Sequence, residues 1–198
     1  NLIPRLYDAT EGKVLIDGVD VKDYELESLN RKIGYVPQRG VLFSGTVKSN
    51  INFGDNNASD ETVKEAISIA QASNFVSKMG NGVDSRIAQG GTNVSGGQKQ
   101  RLSIARAVAR KPEIFIFDDS FSALDYKTDK KLRAALKKHT GKVTKFIVAQ
   151  RIGTIKDADK IIVLDNGNMV GMGTHEELLK KCSVYKEIAL SQLSEEEL

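Results

Sequence analysis

Three consecutive residues in the middle of the sequence are of the kind that binds a phosphate group. Ser95-Gly96-Gly97 comes directly before a segment with helical spacing of apolar residues, which predicts a helix over roughly Gln98–Ala109. Glycines let a ligand approach the backbone closely, and the first turn of a helix offers free N–H groups and a positive dipole end to an anion. The Ser95 hydroxyl could add a donor. For these residues alone, a glycine-rich helix cap without a ligand is the simpler alternative.

A carboxylate follows the apolar run Ile114–Phe117 at Asp118. Such a run is typical of a strand buried on both faces of a parallel sheet, and α/β folds bind ligands at the carboxyl edge of that sheet. In a phosphate site, a carboxylate in this place holds Mg²⁺ directly or through water. An aspartate that ends a strand and begins a turn has the same pattern, so Asp118 alone does not decide between the two.

The elements that must position these residues are predicted from the spacing of apolar residues. Strands alternate with helices, which indicates an α/β sheet with right-handed crossovers. We predict strands at Lys13–Asp17, Ile33–Val36, Ile114–Phe117, Phe146–Val148 and Lys160–Leu164, the last three of them buried. We predict helices at Leu26–Lys32, Thr46–Ile51, Asp60–Ala72, Gln98–Ala109 and Thr128–His139. A late hairpin containing Met169–Met172 should follow Asn166-Gly167, and Thr174 should begin a helix with Glu177 completing a capping box.

The bulk composition is that of a soluble globular protein. The chain has 198 residues, of which 40% are hydrophobic and 28% charged, and its net charge is +3. That weak imbalance does not indicate a nucleic-acid partner. The single cysteine, Cys182, excludes an internal disulfide and a cysteine-built metal site. No apolar run approaches the ~18 residues that a membrane-spanning helix needs.

Taken together, the motifs occur in an order that resembles the ATP-binding domain of ABC proteins, and the resemblance covers essentially the whole chain. The matching segments are the Q-loop at Gln38 after Val36-Pro37, the last four residues of the LSGGQ signature at Ser95–Gln98 with Val94 in place of leucine, the Walker B strand at Ile114–Asp118 and the D-loop at Ser122–Asp125. Chance agreement of all these motifs in order is negligible, so the ligand-free alternatives are dropped for the set.

The resemblance implies a P-loop NTPase-like fold, in which a mostly parallel sheet has helices on both faces. It implies that residues 1–198 are a partial ABC ATPase domain, with a helical subdomain inserted at about residues 45–110. It also implies ATP and Mg²⁺ as cofactors. The implied nucleotide contacts are Gln38, Ser95, Gly96, Gly97, Gln98 and Asp125, and the implied metal ligands are Asp118 and Gln38. In this family two domains dimerise head to tail, so the signature would contact ATP held by a second ABC ATPase domain.

The stretch after the Q-loop resembles that of exporters whose membrane helices precede the ATPase in one polypeptide. It consists of Val41–Val47 followed by Asn50-Ile51. In such exporters this stretch faces the coupling helices of the membrane domain, so Leu42 and Phe43 are expected contacts at the cytoplasmic face of the cell membrane. Packing in the subdomain core is the alternative for these two residues. Two other functions stay open: a soluble ABC ATPase acting on ribosomes or DNA, and a regulatory nucleotide-binding module without turnover.

Two residues depart from the family at the expected catalytic positions. Asp119 stands where active members carry the glutamate that polarises the attacking water, and its carboxylate falls short by about 1.5 Å, one C–C bond. Misplacement on that scale reduces a rate by ~10²-fold. Gln150 stands where the family has histidine; its amide can hydrogen-bond a phosphate but carries no charge or exchangeable imidazole proton. The pair resembles the impaired half of heterodimeric exporters, so we expect slow hydrolysis here and a different subunit as partner.

The phosphate-binding sequence G-x-x-x-x-G-K-[S/T] does not occur in these 198 residues. We expect it, and the central strand before it, to precede Asn1, and we expect this chain alone to bind Mg-ATP poorly. Strand edges left open in this way invite pairing with another chain, so self-association is a further expectation.

Overall fold

The computed structural model describes residues 1–53 and 58–194, which form short strands and helices in alternation. The strands are β1 (Leu15–Ile16), β2 (Val19–Asp20), β3 (Ile33–Val36), β4 (Gly45–Thr46), β5 (Arg86–Ile87), β6 (Ile114–Asp118), β7 (Thr144–Val148), β8 (Ile161–Asp165) and β9 (Asn168–Gly173). The helices are α1 (Leu26–Lys32), α2 (Val47–Ile51), α3 (Asp60–Ile69), α4 (Ser73–Ser77), α5 (Gly96–Ala109), α6 (Tyr126–Thr140), α7 (Ile152–Ile155), α8 (His175–Lys181) and α9 (Ser183–Gln192). Within the described ranges, none of these helices combines the length and apolar composition needed to cross a bilayer.

A parallel sheet in the order β3-β6-β7 forms the centre of the first of two compact units, residues 1–148. The predicted α/β architecture with a parallel sheet is therefore confirmed. The other strands pair as three antiparallel two-stranded sheets, β1-β2, β4-β5 and β8-β9. Because β3 and β6 run parallel, with Val36 beside Phe117, the segments that follow them meet at the same edge.

Helices lie on both faces of the central sheet, as expected, but the face that carries Ile116 is only partly covered. Phe115 and Phe117 point into the larger core, which helices α2 to α6 complete. Ile116 points the other way, into a smaller core with Leu29 of α1 and Ile16 of β1. Side chains of a strand alternate between faces, so β6 needs apolar residues at nearly every position, and this explains its uninterrupted apolar sequence.

The second compact unit, residues 149–198, is built on the β8-β9 hairpin and helices α7 to α9. The predicted hairpin is confirmed: Asn166 and Gly167 both have positive φ, as a two-residue turn of this kind requires. The predicted capping box of Thr174 and Glu177 also forms at the start of α8. Cys182 is a free thiol buried in this unit's core.

Two strand predictions were wrong about burial. Phe146 and Val148 of β7 are 44% and 56% exposed, and Ile162 and Leu164 of β8 are 54% and 68% exposed. Phe146 and Val148 lie on the same face of the central sheet as Ile116, and that face is only partly covered at β7, the edge strand. Strand β8 belongs to a two-stranded hairpin packed on one face by α8 and α9. An apolar run indicates a strand but does not tell whether both of its faces are covered.

Smaller differences concern the element ends. The strand predicted at Lys13–Asp17 is only Leu15–Ile16. The helix predicted over Asp60–Ala72 has Ser59 as its N-cap. It ends at Ile69, because Gln71 adopts a left-handed φ of 56°. A separate helix, α4, follows.

Candidate functional site

The carboxyl edge of the central sheet brings together three residues predicted from the sequence: Gln38, Asp118 and Asp119. Gln38 follows β3 by two residues, whereas Asp118 ends β6 and Asp119 follows it. Both aspartates are half-buried and Gln38 is exposed. This is the place at which α/β folds bind ligands.

Asp118 is oriented by a tyrosine of the neighbouring strand. The Tyr35 hydroxyl donates a hydrogen bond of 3.1 Å to Asp118 Oδ2. Partial burial, and then this hydrogen bond to the carboxylate, raise the pKa of Tyr35, so its phenol stays protonated and remains a donor. Sequence reasoning missed Tyr35. The available signal was its position in β3 on the same face as Asp118, since Tyr35 pairs with Ile116 in the register.

Asp119 is held by its backbone and by Gln38. Its φ of 45° lies in the left-handed region, which aspartate tolerates better than most residues, and its N–H donates to the Val148 carbonyl at 2.9 Å. Gln38 Nε2 donates to Asp119 Oδ2 at 3.1 Å. The two side chains that the sequence assigned to metal binding and catalysis are therefore in direct contact with each other. Unusual backbone conformations of this kind are frequent at functional sites.

The oxygen atoms at this edge fit Mg²⁺ bound together with a nucleotide. Mg²⁺ usually takes one or two protein oxygens and fills its octahedron with water and phosphate oxygens. Asp118 supplies a carboxylate, and Gln38, whose Nε2 is used by Asp119, still has its Oε1 as an acceptor. Among the residues that the structure describes, no group of three or more His, Cys, Asp or Glu side chains could form an all-protein metal cage. Asp118 and Gln38 are thus the residues that would hold the ion, and the nucleotide would complete its shell.

Ser95 and Gln98 form a capping box at the start of α5. Ser95 Oγ accepts from the Gln98 N–H at 3.3 Å, and Gln98 Oε1 accepts from the Ser95 N–H at 2.9 Å. Because Ser95 Oγ acts as an acceptor in the cap, its own proton is left to donate to a ligand. The N–H groups of Gly96 and Gly97 take no part in this cap and lie in the first turn, where helices bind anions.

The space available for a side chain differs between Gly96 and Gly97. A Cβ at Gly97 would lie 3.2 Å from the Ala123 carbonyl oxygen, so a side chain there would force the D-loop to shift by a few tenths of an ångström. A Cβ at Gly96 would meet no atom within 4 Å, and the backbone at Gly96 is not left-handed. The fold of this chain therefore does not explain Gly96. An approaching ligand that needs the space would explain it.

Asp125 is the N-cap of α6. Its Oδ1 accepts from the Thr128 N–H at 2.9 Å. Hydrogen bonds from the Thr128 side chain and backbone lower the pKa of Asp125 below its ordinary value. This capping contact is a structural role that the prediction of a nucleotide contact did not include.

Gln150 is the second residue of the second compact unit. Its side chain is exposed, and its backbone carbonyl accepts a hydrogen bond of 2.8 Å from Gln192 Nε2. Its predicted catalytic role stays a prediction.

The expected contact residues Leu42 and Phe43 differ in exposure. Leu42 is 1% exposed and belongs to the core, where it packs under Gly91, so the prediction that it contacts a partner is corrected. Phe43 is 43% exposed and stacks on Phe53 with ring centroids 4.3 Å apart. Val41 beside them is also exposed, and we call Val41, Phe43 and Phe53 the Phe43 surface.

Arg106 of α5 is hydrogen-bonded to the main chain at and near the Phe43 surface. Its guanidinium donates to the Asn50 carbonyl at 2.7 Å, to Asn50 Oδ1 at 3.0 Å and to the Val41 carbonyl at 2.9 Å. It also lies 5.4 Å from the centre of the Phe43 ring, within range of a cation–π attraction. Burial lowers the pKa of Arg106, but an arginine stays charged in proteins. Sequence reasoning missed this residue, whose signal was a single cation within the apolar end of α5.

Comparison with known proteins agrees with this arrangement. A model of the family described as ABC transporter matches residues 1–122. An uncharacterised ABC transporter ATP-binding protein of Mycobacterium tuberculosis is 51% identical over 195 residues, which are 97% of this chain and 33% of that protein. A Staphylococcus aureus protein, named provisionally as a multidrug export ATP-binding/permease protein, is 46% identical over 188 residues, 95% of this chain and 32% of that protein.

The solved structure of a bacterial Atm1-family ABC exporter with ATP bound is similar in three dimensions. It is 36% identical to this chain with a TM-score of 0.93, and the match covers 98% of this chain and 34% of that one. The chain thus spans about a third of the length of the proteins it matches. Because the family model covers more than half of its residues, the chain belongs to the ABC transporter family, a family of ATPases.

Proposed function

We propose that this chain is the ATP-binding domain of an ABC exporter in which its own nucleotide site hydrolyses ATP slowly. Its signature, Ser95–Gln98, would complete a faster site on a second, different subunit. The observation that carries this proposal is the contrast between Gly96, which is open toward the outside, and Asp119, which is shorter than the usual catalytic glutamate and already bonded to Gln38.

Both the geometry and the residue types of this chain's own nucleotide site are unfavourable for hydrolysis. A general base must lie within about 2.6–3.2 Å of the proton that it takes. The Asp119 N–H donates a hydrogen bond to the Val148 carbonyl, and the Asp119 carbonyl accepts one from the Ser122 hydroxyl. These two bonds restrain the backbone, so it cannot easily move toward the nucleotide to compensate for the missing methylene. Gln150 in place of histidine removes a second group suited to proton chemistry.

The signature, by contrast, has what a phosphate site needs. The capping box fixes Ser95 with its hydroxyl proton free, and Gly96 leaves the first-turn N–H groups accessible. Contact between Gly97 and the D-loop keeps this helix start in place. Such a preorganised set of donors stabilises charge that develops on a phosphate during transfer.

The export function is proposed from the relatives and from the Phe43 surface. The S. aureus relative is named for multidrug export and the structural relative is an exporter. In the proposed transporter, the Phe43 surface contacts the membrane domain at the cytoplasmic face of the membrane. The helical subdomain would correspond to about residues 45–110, of which 54–57 lie outside the described residues.

The ATPase rate of the full-length protein assembled with its partner subunit tests the proposal. Gly96→Val blocks approach to the signature, and its Cβ lies where no atom of this chain is within 4 Å. It should lower the rate by on the order of 10²-fold. Gly80→Val is the matched control, since Gly80 also has open space and an ordinary φ, and it should change the rate by less than about twofold. Asp119→Asn should lower the rate far less than Gly96→Val. An equal loss in both variants would place hydrolysis in this chain's own site and contradict the proposal.

A further inference from the structure

A glutamine of α5 is buried where glutamines are rarely found. Gln100 is 1% exposed, and its amide therefore needs partners within the protein. Gln100 Nε2 donates a hydrogen bond of 2.9 Å to the carbonyl of Pro37, a residue 63 positions away in the sequence. Without this donor the partly buried Pro37 carbonyl would lose its partner, so the contact helps to specify where the loop after β3 lies.

The backbones of the loop and of α5 touch directly beside this bond. A Cβ at Gly40 would lie 2.8 Å from the Lys99 carbonyl oxygen and 3.0 Å from the Gln100 nitrogen. No side chain fits there, and the backbone at Gly40 is not left-handed, so close approach is the reason for glycine. The loop formed by residues 37–40 therefore packs closely against the first turns of α5.

The loop is held at successive residues by different partners. The buried Ser120 hydroxyl donates to the Val36 carbonyl at 2.8 Å, and Gln100 then holds Pro37. The next residue, Gln38, donates to Asp119. Pro37 has a fixed φ, which limits how far Gln38 can move independently of the residue before it.

We infer that Gln100 is a positioning residue. By holding the loop after β3, it sets the distance between Gln38 and Asp119 and connects this pair to α5, the helix that begins with the signature. Gln100 lies two residues after Gln98 of the signature, so a shift of the Gln38–Asp119 pair on binding of Mg-nucleotide would also shift the signature. That this shift matters for the other subunit rests on the proposed function. Gln38 would hold Mg²⁺ through Oε1 while its Nε2 stays bonded to Asp119, so the two side chains would move as one unit when the ion binds.

The alternative is that Gln100 only stabilises the packing of α5. Both possibilities predict a loss of stability on substitution, so stability does not separate them. Two measurements do, with Gln100→Met as the variant, because methionine has a similar unbranched shape and lacks the donor. Ile104→Val is the matched control, since Ile104 is fully buried in the same helix and its truncation destabilises the core modestly without involving Pro37.

The first measurement is hydrogen exchange of the full-length protein without nucleotide. Gln100→Met should accelerate exchange in the segment 38–41 by about five- to tenfold, while β6 exchanges as in the unchanged protein. Ile104→Val should leave the segment 38–41 unchanged relative to β6. Equal acceleration of both segments in Gln100→Met would mean general loosening and would overturn the inference.

The second measurement is a double-mutant cycle on the ATPase rate of the assembled transporter, with Gln38→Ala as the second substitution. If Gln100 acts through Gln38, Gln100→Met lowers the rate by about tenfold alone and by less than about twofold in the Gln38→Ala background. Equal factors in both backgrounds would overturn the inference. The cycle reports on the Gln100–Gln38 link whichever subunit's site hydrolyses ATP, whereas the Gly96→Val and Asp119→Asn comparison reports on the proposed function alone.

Discussion

The start of α5 and the carboxyl end of β6 are both candidate phosphate sites, yet they are built in opposite ways. At α5, Ser95 and Gln98 satisfy each other and leave donors facing outward. At β6, the two carboxylates are engaged inward, Asp118 by Tyr35 and Asp119 by Gln38. The difference is that the signature keeps the family's residues from Ser95 to Gln98, whereas the two expected catalytic positions, Asp119 and Gln150, depart from the family.

The most direct test of this comparison is to restore the family's catalytic residues at the site beside β6. Asp119→Glu combined with Gln150→His restores the carboxylate length and the imidazole. We expect hydrolysis at this chain's own site to rise by about 10- to 100-fold, measured in the assembled transporter with the partner subunit's site inactivated. The control is Asp119→Glu alone, which should give part of the gain. A rate that stays at the level of the unchanged protein would show that neither residue limits hydrolysis.

A matched pair of substitutions sharpens the comparison at the signature end. Gly97→Ala places a methyl 3.2 Å from the Ala123 carbonyl oxygen and should destabilise the chain by ~1 kcal/mol. Gly96→Ala meets nothing and should stabilise it by ~0.5 kcal/mol, because alanine lowers the entropy of the unfolded chain. Urea unfolding of the two variants measures both values. The same sign of change for both would mean that contact with the D-loop does not hold the signature in place.

The smallest expected effect concerns Asp125, which caps the helix after the D-loop. Its pKa is lowered in the folded state, so its contribution to stability is present above the ordinary value of 3.8 and is lost as the pH falls through the lower, folded-state pKa. Asp125→Ala should therefore lower the melting temperature slightly at neutral pH and no longer do so in strong acid. Asp125→Asn keeps the cap and serves as the control. A difference between Asp125→Ala and the unchanged chain that persists in acid would show that the charge is not what stabilises the cap.

The residues that could be predicted were those whose signal is local. Period and apolar runs located α5 and β6 to within a few residues, and the motif order indicated Gln38, Ser95 and Asp118. The contacts of Gln100 with Pro37 and of Arg106 with Asn50 could not be predicted, because they join residues far apart in sequence and depend on how helices pack. The exposure of β7 and β8 was missed for the same reason, since it depends on neighbouring elements rather than on the strand's own residues.

The Arg106 network has a mechanical consequence. The guanidinium donates to the carbonyl of Val41, which belongs to the Phe43 surface, and to the carbonyl of Asn50, whose side chain is bonded to the Phe43 main chain. These bonds connect Phe43 to α5. From Arg106 back to Ser95 this helix forms a stiff rod of about 16 Å. A rigid-body shift of α5 would therefore move Arg106 and the signature together.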